Sequence, residues 1–195
     1  MTRMIPGLAA ALLLPLAAAA ASQDGKFKAD GAGTAPCSDF TAALEAGDRV
    51  KVAGFAAWTE GFLTAVNALQ ADTYDITPWQ TTPVLMEKLR RFCLGHPGTQ
   101  MIEATGQLAA VLAPYRQVAE SPMVQARNSG RAVMLPAVIL ERVRQVLEEE
   151  RGSGLSTAGG DFDAAFSAAL AGFQKARGLA ETGLPDQLTL NMMFP

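Results

Sequence analysis

The chain has 195 residues, 49% of them hydrophobic and 18% charged, with a formal net charge of −3. That balance excludes the broad basic surface that nucleic-acid binding requires, and the length leaves room for one medium domain or two small ones. A single histidine and two cysteines are too few soft or imidazole ligands for a metal centre of the usual kind, and no cofactor is expected.

Thr2-Arg3 form a short basic start, and residues 4–21 are an unbroken run of apolar, Gly and Pro residues. Such a run is just long enough to span a bilayer. Its Ala-rich end, Pro15 and the small residues Ala19-Ala20-Ala21 before Ser22 instead predict a secretory signal peptide over 1–21, removed on export. No later segment approaches membrane-spanning length, so the mature chain is expected free of the membrane, in the periplasm or cell envelope. Residues 22–36 are polar, Gly-rich and unpatterned, which predicts a flexible leader.

Two cysteines in an exported chain, Cys37 and Cys93, are most simply a disulfide. Closing the loop between them would stabilise by about 4 kcal/mol in the chain-entropy model. Within that loop, Phe55, Trp58, Phe62, Val66 and Leu69 recur every three or four positions and predict an amphipathic helix over 48–69. Gly54 and Gly61 fall on nearly one face, where they would admit a second helix closely. A polar stretch over 71–81 holds Trp79. Thr82-Pro83 then opens a helix whose buried face is Leu85, Leu89, Phe92 and Cys93, and Gly95-His96-Pro97-Gly98 stops it. A third helix from Thr99 presents Met101, Thr105, Leu108 and Leu112, with Pro114 near its end. Residues 37–113 therefore read as a disulfide-stapled helical domain.

Residues 114–135 show no sustained period and contain Pro122 and Asn128-Ser129-Gly130, which predicts a linker. Pro136 opens a helix with Ile139, Val143 and Val146 or Leu147 facing inward. Residues 152–160, rich in Gly, Ser and Thr, predict a loop. Asp161 is placed to cap a helix striped by Phe162, Phe166, Ala169 or Leu170, and Phe173, and Gly178 to end it in a left-handed conformation. Thr182-Gly183 is a turn, and Pro185-Asp186 starts a last helix ending near Met193. No strand is predicted. The fold class is all-α, with two small helical domains over 37–113 and 136–195.

Gly160-Asp161-Phe162, Ala169-Leu170, Phe173-Gln174, Gly178-Leu179, Gly183 and Thr189 stand in a spacing that resembles the peptidoglycan-binding-like domain family. The resemblance covers 136–195 and is most specific over 160–189. Asp163 and Phe166 depart from the family's usual Gly and Thr, and Gly159 from a common Asp. What it implies is a three-helix bundle that attaches to peptidoglycan through its glycan or stem peptide. Phe162, Phe173, Leu179 and Leu188 are then core, and Thr189 and Asp186 pin the last helix. The surface candidates for ligand contact are Gln174, Arg177 and Asp186, around the Gly178 and Gly183 turns. Gln offers donor and acceptor to amides or N-acetyl groups, and Arg pairs with a stem-peptide carboxylate.

Cys37-Ser38-Asp39-Phe40, the Gly-Phe pairs at 54–55 and 61–62, and Cys93 in a helix opened by Thr-Pro resemble the HdeA-type periplasmic helical proteins over 37–112. That resemblance implies an acid-stress chaperone for unfolded periplasmic clients, switched by carboxylates such as Asp39, Glu60, Glu87 and Glu103. A third reading is an envelope protein-interaction module without glycan binding.

Catalysis finds little support. Cys93 and His96 are close enough in sequence to meet at a helix end, but Cys37 competes for the thiol. Glu60 between Trp58 and Phe62 is the one acid that stands out, and no phosphate loop or serine nucleophile elbow is present. The expectation is a non-enzymatic protein.

Overall fold

The structure, a computed structural model, describes residues 27–151 and 161–194. The predicted signal peptide, the start of the predicted leader and the predicted loop over 152–160 lie outside the described residues. The fold is mostly helical. Four helices come first, α1 (Cys37–Glu45), α2 (Arg49–Leu69), α3 (Thr82–Gly95) and α4 (Met101–Leu112). A hairpin follows, β1 (Met123–Asn128) and β2 (Arg131–Pro136), and then α5 (Ala137–Arg151), α6 (Ala164–Ala176) and α7 (Gln187–Met193).

The expectation that no strand forms is thereby corrected. Within the segment read as a linker, Val124 faces Leu135, Ala126 faces Val133 and Asn128 faces Arg131 in an antiparallel ladder. Ser129 and Gly130 both have positive φ, 48° and 76°, the conformation a two-residue hairpin turn requires for its twist to match that of the strands. Ala126 and Leu135 are buried while Gln125, Arg127, Ala132 and Met134 are exposed, so one face of the hairpin packs and the other meets solvent.

The apolar side chains divide into two clusters. In the first, Phe40, Phe55, Leu63, Leu89, Met101 and Leu112 pack between α1 and α4. Asp48 caps α2 by accepting from the Lys51 N–H (3.0 Å), and α2 buries Phe55, Thr59 and Leu63. Leu69 is 85% exposed, and Gly54 and Gly61 face open space rather than a second helix, which corrects the role predicted for them. Cys37 and Cys93, both fully buried, form a disulfide that joins the start of α1 to the end of α3 with Cα atoms 5.0 Å apart. Around it the Cys37 N–H donates to Thr99 O (2.8 Å), Ser38 N–H to Pro97 O (2.9 Å) and Met101 N–H to Ala35 O (2.9 Å).

Part of the expected leader is held as well. Gly31–Thr34 forms a 3-10 turn covered by Trp58, whose indole N–H donates to Asp30 O (2.9 Å). A Cβ at Gly33 would run into the indole ring of Trp58, so glycine is what permits this contact.

The second cluster gathers Leu135, Ile139, Val143, Phe166, Phe173 and Leu190 from the hairpin and α5–α7. It also takes in Trp79, from the polar stretch between α2 and α3, and half-buried Tyr115. Their rings lie 6.4 Å and 5.8 Å from that of Phe194. Polar bonds hold the same junction. Gln187 donates to Trp79 O and accepts from the Thr81 N–H, and Arg142 donates to Tyr115 O and Arg116 O. Burial lowers the Arg142 pKa from its ordinary value, helped by the charge of Arg116.

Candidate functional site

The residues singled out by sequence sit around the turns joining α6 to α7. Asp163 caps α6, its Oδ1 accepting from the Phe166 N–H at 2.8 Å. The helix ends before Gly178, at φ 68°, with the Leu179 N–H returning to Gln174 O (2.9 Å). Asp186 caps α7 by accepting from the Thr189 N–H (3.0 Å) and hydroxyl (2.8 Å), and its second oxygen accepts from the Thr182 hydroxyl (2.7 Å).

Gln174 was expected at the surface, and that is corrected: it is fully buried. It falls four positions after Leu170 on the helix face that also buries Phe166 and Phe173, so the 3.6-residue repeat turns it inward. Its Nε2 donates to Thr182 Oγ1 (2.9 Å), Leu184 O (2.9 Å) and Thr189 Oγ1 (2.8 Å), and its Oε1 accepts from the Gly183 N–H (2.8 Å). Both threonines spend their own hydroxyl protons on Asp186, so they present only lone pairs to the amide. The result is one closed polar knot in which Gln174, Thr182, Thr189 and Asp186 fix the path of 182–189.

Arg177 stands apart from the knot. It donates to both oxygens of Glu150 (2.8 and 3.0 Å) and covers the Phe173 ring at 5.0 Å, tying α6 to α5. The structure therefore brings Gln174 and Asp186 together and leaves Arg177 elsewhere. Of the expected core residues Phe173 is buried, Phe162 and Leu179 are half-buried, and Leu188 is a correction, 70% exposed, with Leu184 and Leu190 filling the interior in its place.

An open surface lies beside the knot. A groove of about 350 Å³ separates the hairpin turn from the start of α6, with Arg127, Asn128 and Arg131 on one side and Phe162, Asp163 and Ser167 on the other. Its floor is rigid. Asn128 donates to Thr182 O (2.8 Å) and Ser167 to Gly183 O (3.0 Å), and Gly183 has φ 61° with no room for a Cβ, which would meet Ser167 Oγ at 2.5 Å. The register places Arg131 opposite Asn128, on the face that buries Ala126 and Leu135. Sequence reading missed these arginines because they flank Asn128-Ser129-Gly130, read as linker. A Ser-Gly pair able to take positive φ was the available signal.

Residues 143–193 match the family model described as "Putative peptidoglycan binding domain". This span is a peptidoglycan-binding-like domain, and it contains the whole Gln174 knot. The hairpin lies upstream of the match, so the groove combines a wall of the peptidoglycan-binding-like domain with one from outside it. Comparisons with curated proteins and with solved structures give no match.

The residues weighed for catalysis take structural roles. Cys93 is committed to the disulfide. His96 stacks on Phe92 at 4.3 Å, with its Nδ1 2.9 Å from Phe92 O. Glu60 is exposed and accepts from the Thr82 hydroxyl. Among the described residues no group of His, Cys, Asp and Glu is arranged to hold a metal ion.

Proposed function

We propose that this is a non-catalytic, exported cell-envelope protein that binds peptidoglycan through its C-terminal module, residues 136–195. The observation that carries the reading is the family match over 143–193. Residues 1–21, with their apolar run and small-residue cleavage site, support export, and a buried disulfide suits an oxidising compartment. In a two-domain layout, residues 37–113 would be the part carried to the wall.

The test is co-sedimentation of the whole chain, begun at Ser22, with purified sacculi, beside an insoluble polysaccharide of unrelated chemistry. Retention on sacculi alone, released by soluble muropeptides, is expected. A folded protein left in the supernatant overturns the reading and favours an envelope protein partner. A truncation is a poor substitute, because the second core draws on Trp79 and Tyr115.

Residues 37–113 support a second reading, an HdeA-type chaperone for unfolded clients. The observation favouring it is a groove of about 350 Å³ between α3 and α4, where Leu89, Phe92, Leu108 and Val111 lie beside Lys88, Arg91 and Gln107. Light scattering of an acid-denatured client would show suppressed aggregation, and an unchanged trace removes this role.

A further inference from the structure

We propose that the groove between the hairpin turn and α6 is a subsite for the stem peptide, in which Arg131 takes a peptide carboxylate and Asp163 an ammonium group. The inference rests on the wall-binding reading and adds to it a ligand class and an address.

Three observations carry it. First, the side chains of Arg127 and Arg131 have no hydrogen-bond or ion-pair partner among the described residues, and residues 152–160 contain no carboxylate side chain. By contrast Arg142, Arg144 and Arg177 are used inside the fold: Arg142 on two carbonyls, Arg144 against Glu141 and the Phe166 ring, Arg177 on Glu150. Second, the groove is held open by rigid parts. Both of its walls are stitched to the 182–183 turn by Asn128 and Ser167, so the backbone that carries the groove is already placed and binding orders chiefly the arginine side chains. Third, the charges are mixed. Asp163 spends only Oδ1 on the cap of α6, and it lines the same groove as the two arginines.

A polyanion such as a phosphodiester chain matches such a groove poorly. A stem peptide matches it well, since it bears free carboxylates and, at its diamino acid, an amine. Its small alanyl methyl groups suit the half-buried ring of Phe162, which packs on Phe166 at 5.1 Å. The planar fork of arginine gives a carboxylate two parallel hydrogen bonds, which lysine cannot.

The experiment titrates the whole chain with a synthetic stem tetrapeptide containing meso-diaminopimelate, with its amidated form and with its N-acetylated form, alongside sacculus pelleting. Arg131→Gln is expected to weaken binding of the free peptide by about tenfold or more, as loss of a charge-assisted pair does, and Arg127→Gln by less. Amidation of the peptide should reproduce the loss in the unaltered protein. Asp163→Asn keeps the helix cap and should weaken the free-amine peptide while leaving the N-acetylated one unchanged. Thermal melts of each variant establish that it is folded. Undiminished binding in Arg131→Gln, with the unaltered chain still pelleting, overturns the subsite and leaves wall binding standing. Failure of the unaltered chain to pellet overturns both.

Discussion

Replacing Gln174 by alanine tests whether the buried knot holds the second core together. The change removes the acceptor of the Gly183 N–H and the donor of three oxygens. Gly183 is buried, and an orphaned buried N–H costs about 1–3 kcal/mol. Leu184 O keeps the Asp186 N–H, so it is not orphaned, but the two N–H groups of the amide are lost at about 0.5–1.5 kcal/mol each. The sum is about 2–6 kcal/mol, centred near 4. For a chain of this size each kcal/mol moves the melting point by about 2–4 °C, so a fall of about 8–16 °C is expected. The two tryptophans separate the clusters, Trp58 on the first and Trp79 in the second. In a Trp58→Phe background, urea unfolding followed by the remaining indole reports the second core. Leu188→Ala, at an exposed position, is the control and should change stability by no more than about 0.5 kcal/mol. A loss below about 1 kcal/mol in Gln174→Ala, with an unchanged denaturant slope, would refute the knot as a structural determinant.

Three further outcomes follow from the same geometry. Gly183→Ala forces a side chain into a left-handed residue and against Ser167 and Asn128; a loss of about 2–4 kcal/mol is expected, with faster amide exchange in β1 as its link to Thr182 breaks. Cys37→Ala with Cys93→Ala removes the loop constraint and should lower stability by about 4 kcal/mol, read in the unaltered protein as a matching fall on adding a reductant. Hydrogen bonds from Arg90 and then Arg91 hold the Glu87 carboxyl at about 2, below its ordinary 4.5. A depressed carboxylate stabilises above its unfolded pKa and loses that contribution as pH falls, so the advantage over Glu87→Gln should fade between pH 4.5 and 2. Because these three side chains are screened by solvent the difference at neutral pH is small, checked by parallel melts across that range.

Helix ends were legible where a local signal marked them: the Thr-Pro start of α3, the stop at Gly95-His96-Pro97 and the cap at Asp186 depend on neighbouring residues alone. The peptidoglycan-binding-like pattern was legible for the same reason, its spacing being that of one helix and two turns. The helix α1 escaped the reading, having no side-chain cap at its start, and the cap of α6 falls on Asp163 rather than on the expected Asp161. What else escaped depends on contacts distant in sequence. The hairpin buries only Ala126 centrally in β1, too small a residue to announce an alternating pattern. Gln174 reads as polar and hence as surface, and only the chain returning through 182–189 makes its burial tolerable. Leu188 and Leu190 could not be told apart because α7, at seven residues, is too short for its period to settle which side faces in. Trp79 sits in an unpatterned stretch whose partners arrive with Gln187 and Phe194.

The placement of Trp79 bears on the order in which the molecule assembles. The Gln187 bond to Trp79 O joins residues 108 apart in sequence, and contacts of such separation are slow to form because loop-closure entropy is spent before they reward it. Trp79 lies inside the loop closed by Cys37 and Cys93. Oxidation of that pair narrows the volume the indole explores long before the last helix exists to receive it. The bond is therefore a folding aid to a core it does not touch: the oxidised chain should complete its second core faster than the reduced one, with the difference expressed in the folding limb of the kinetics rather than the unfolding limb.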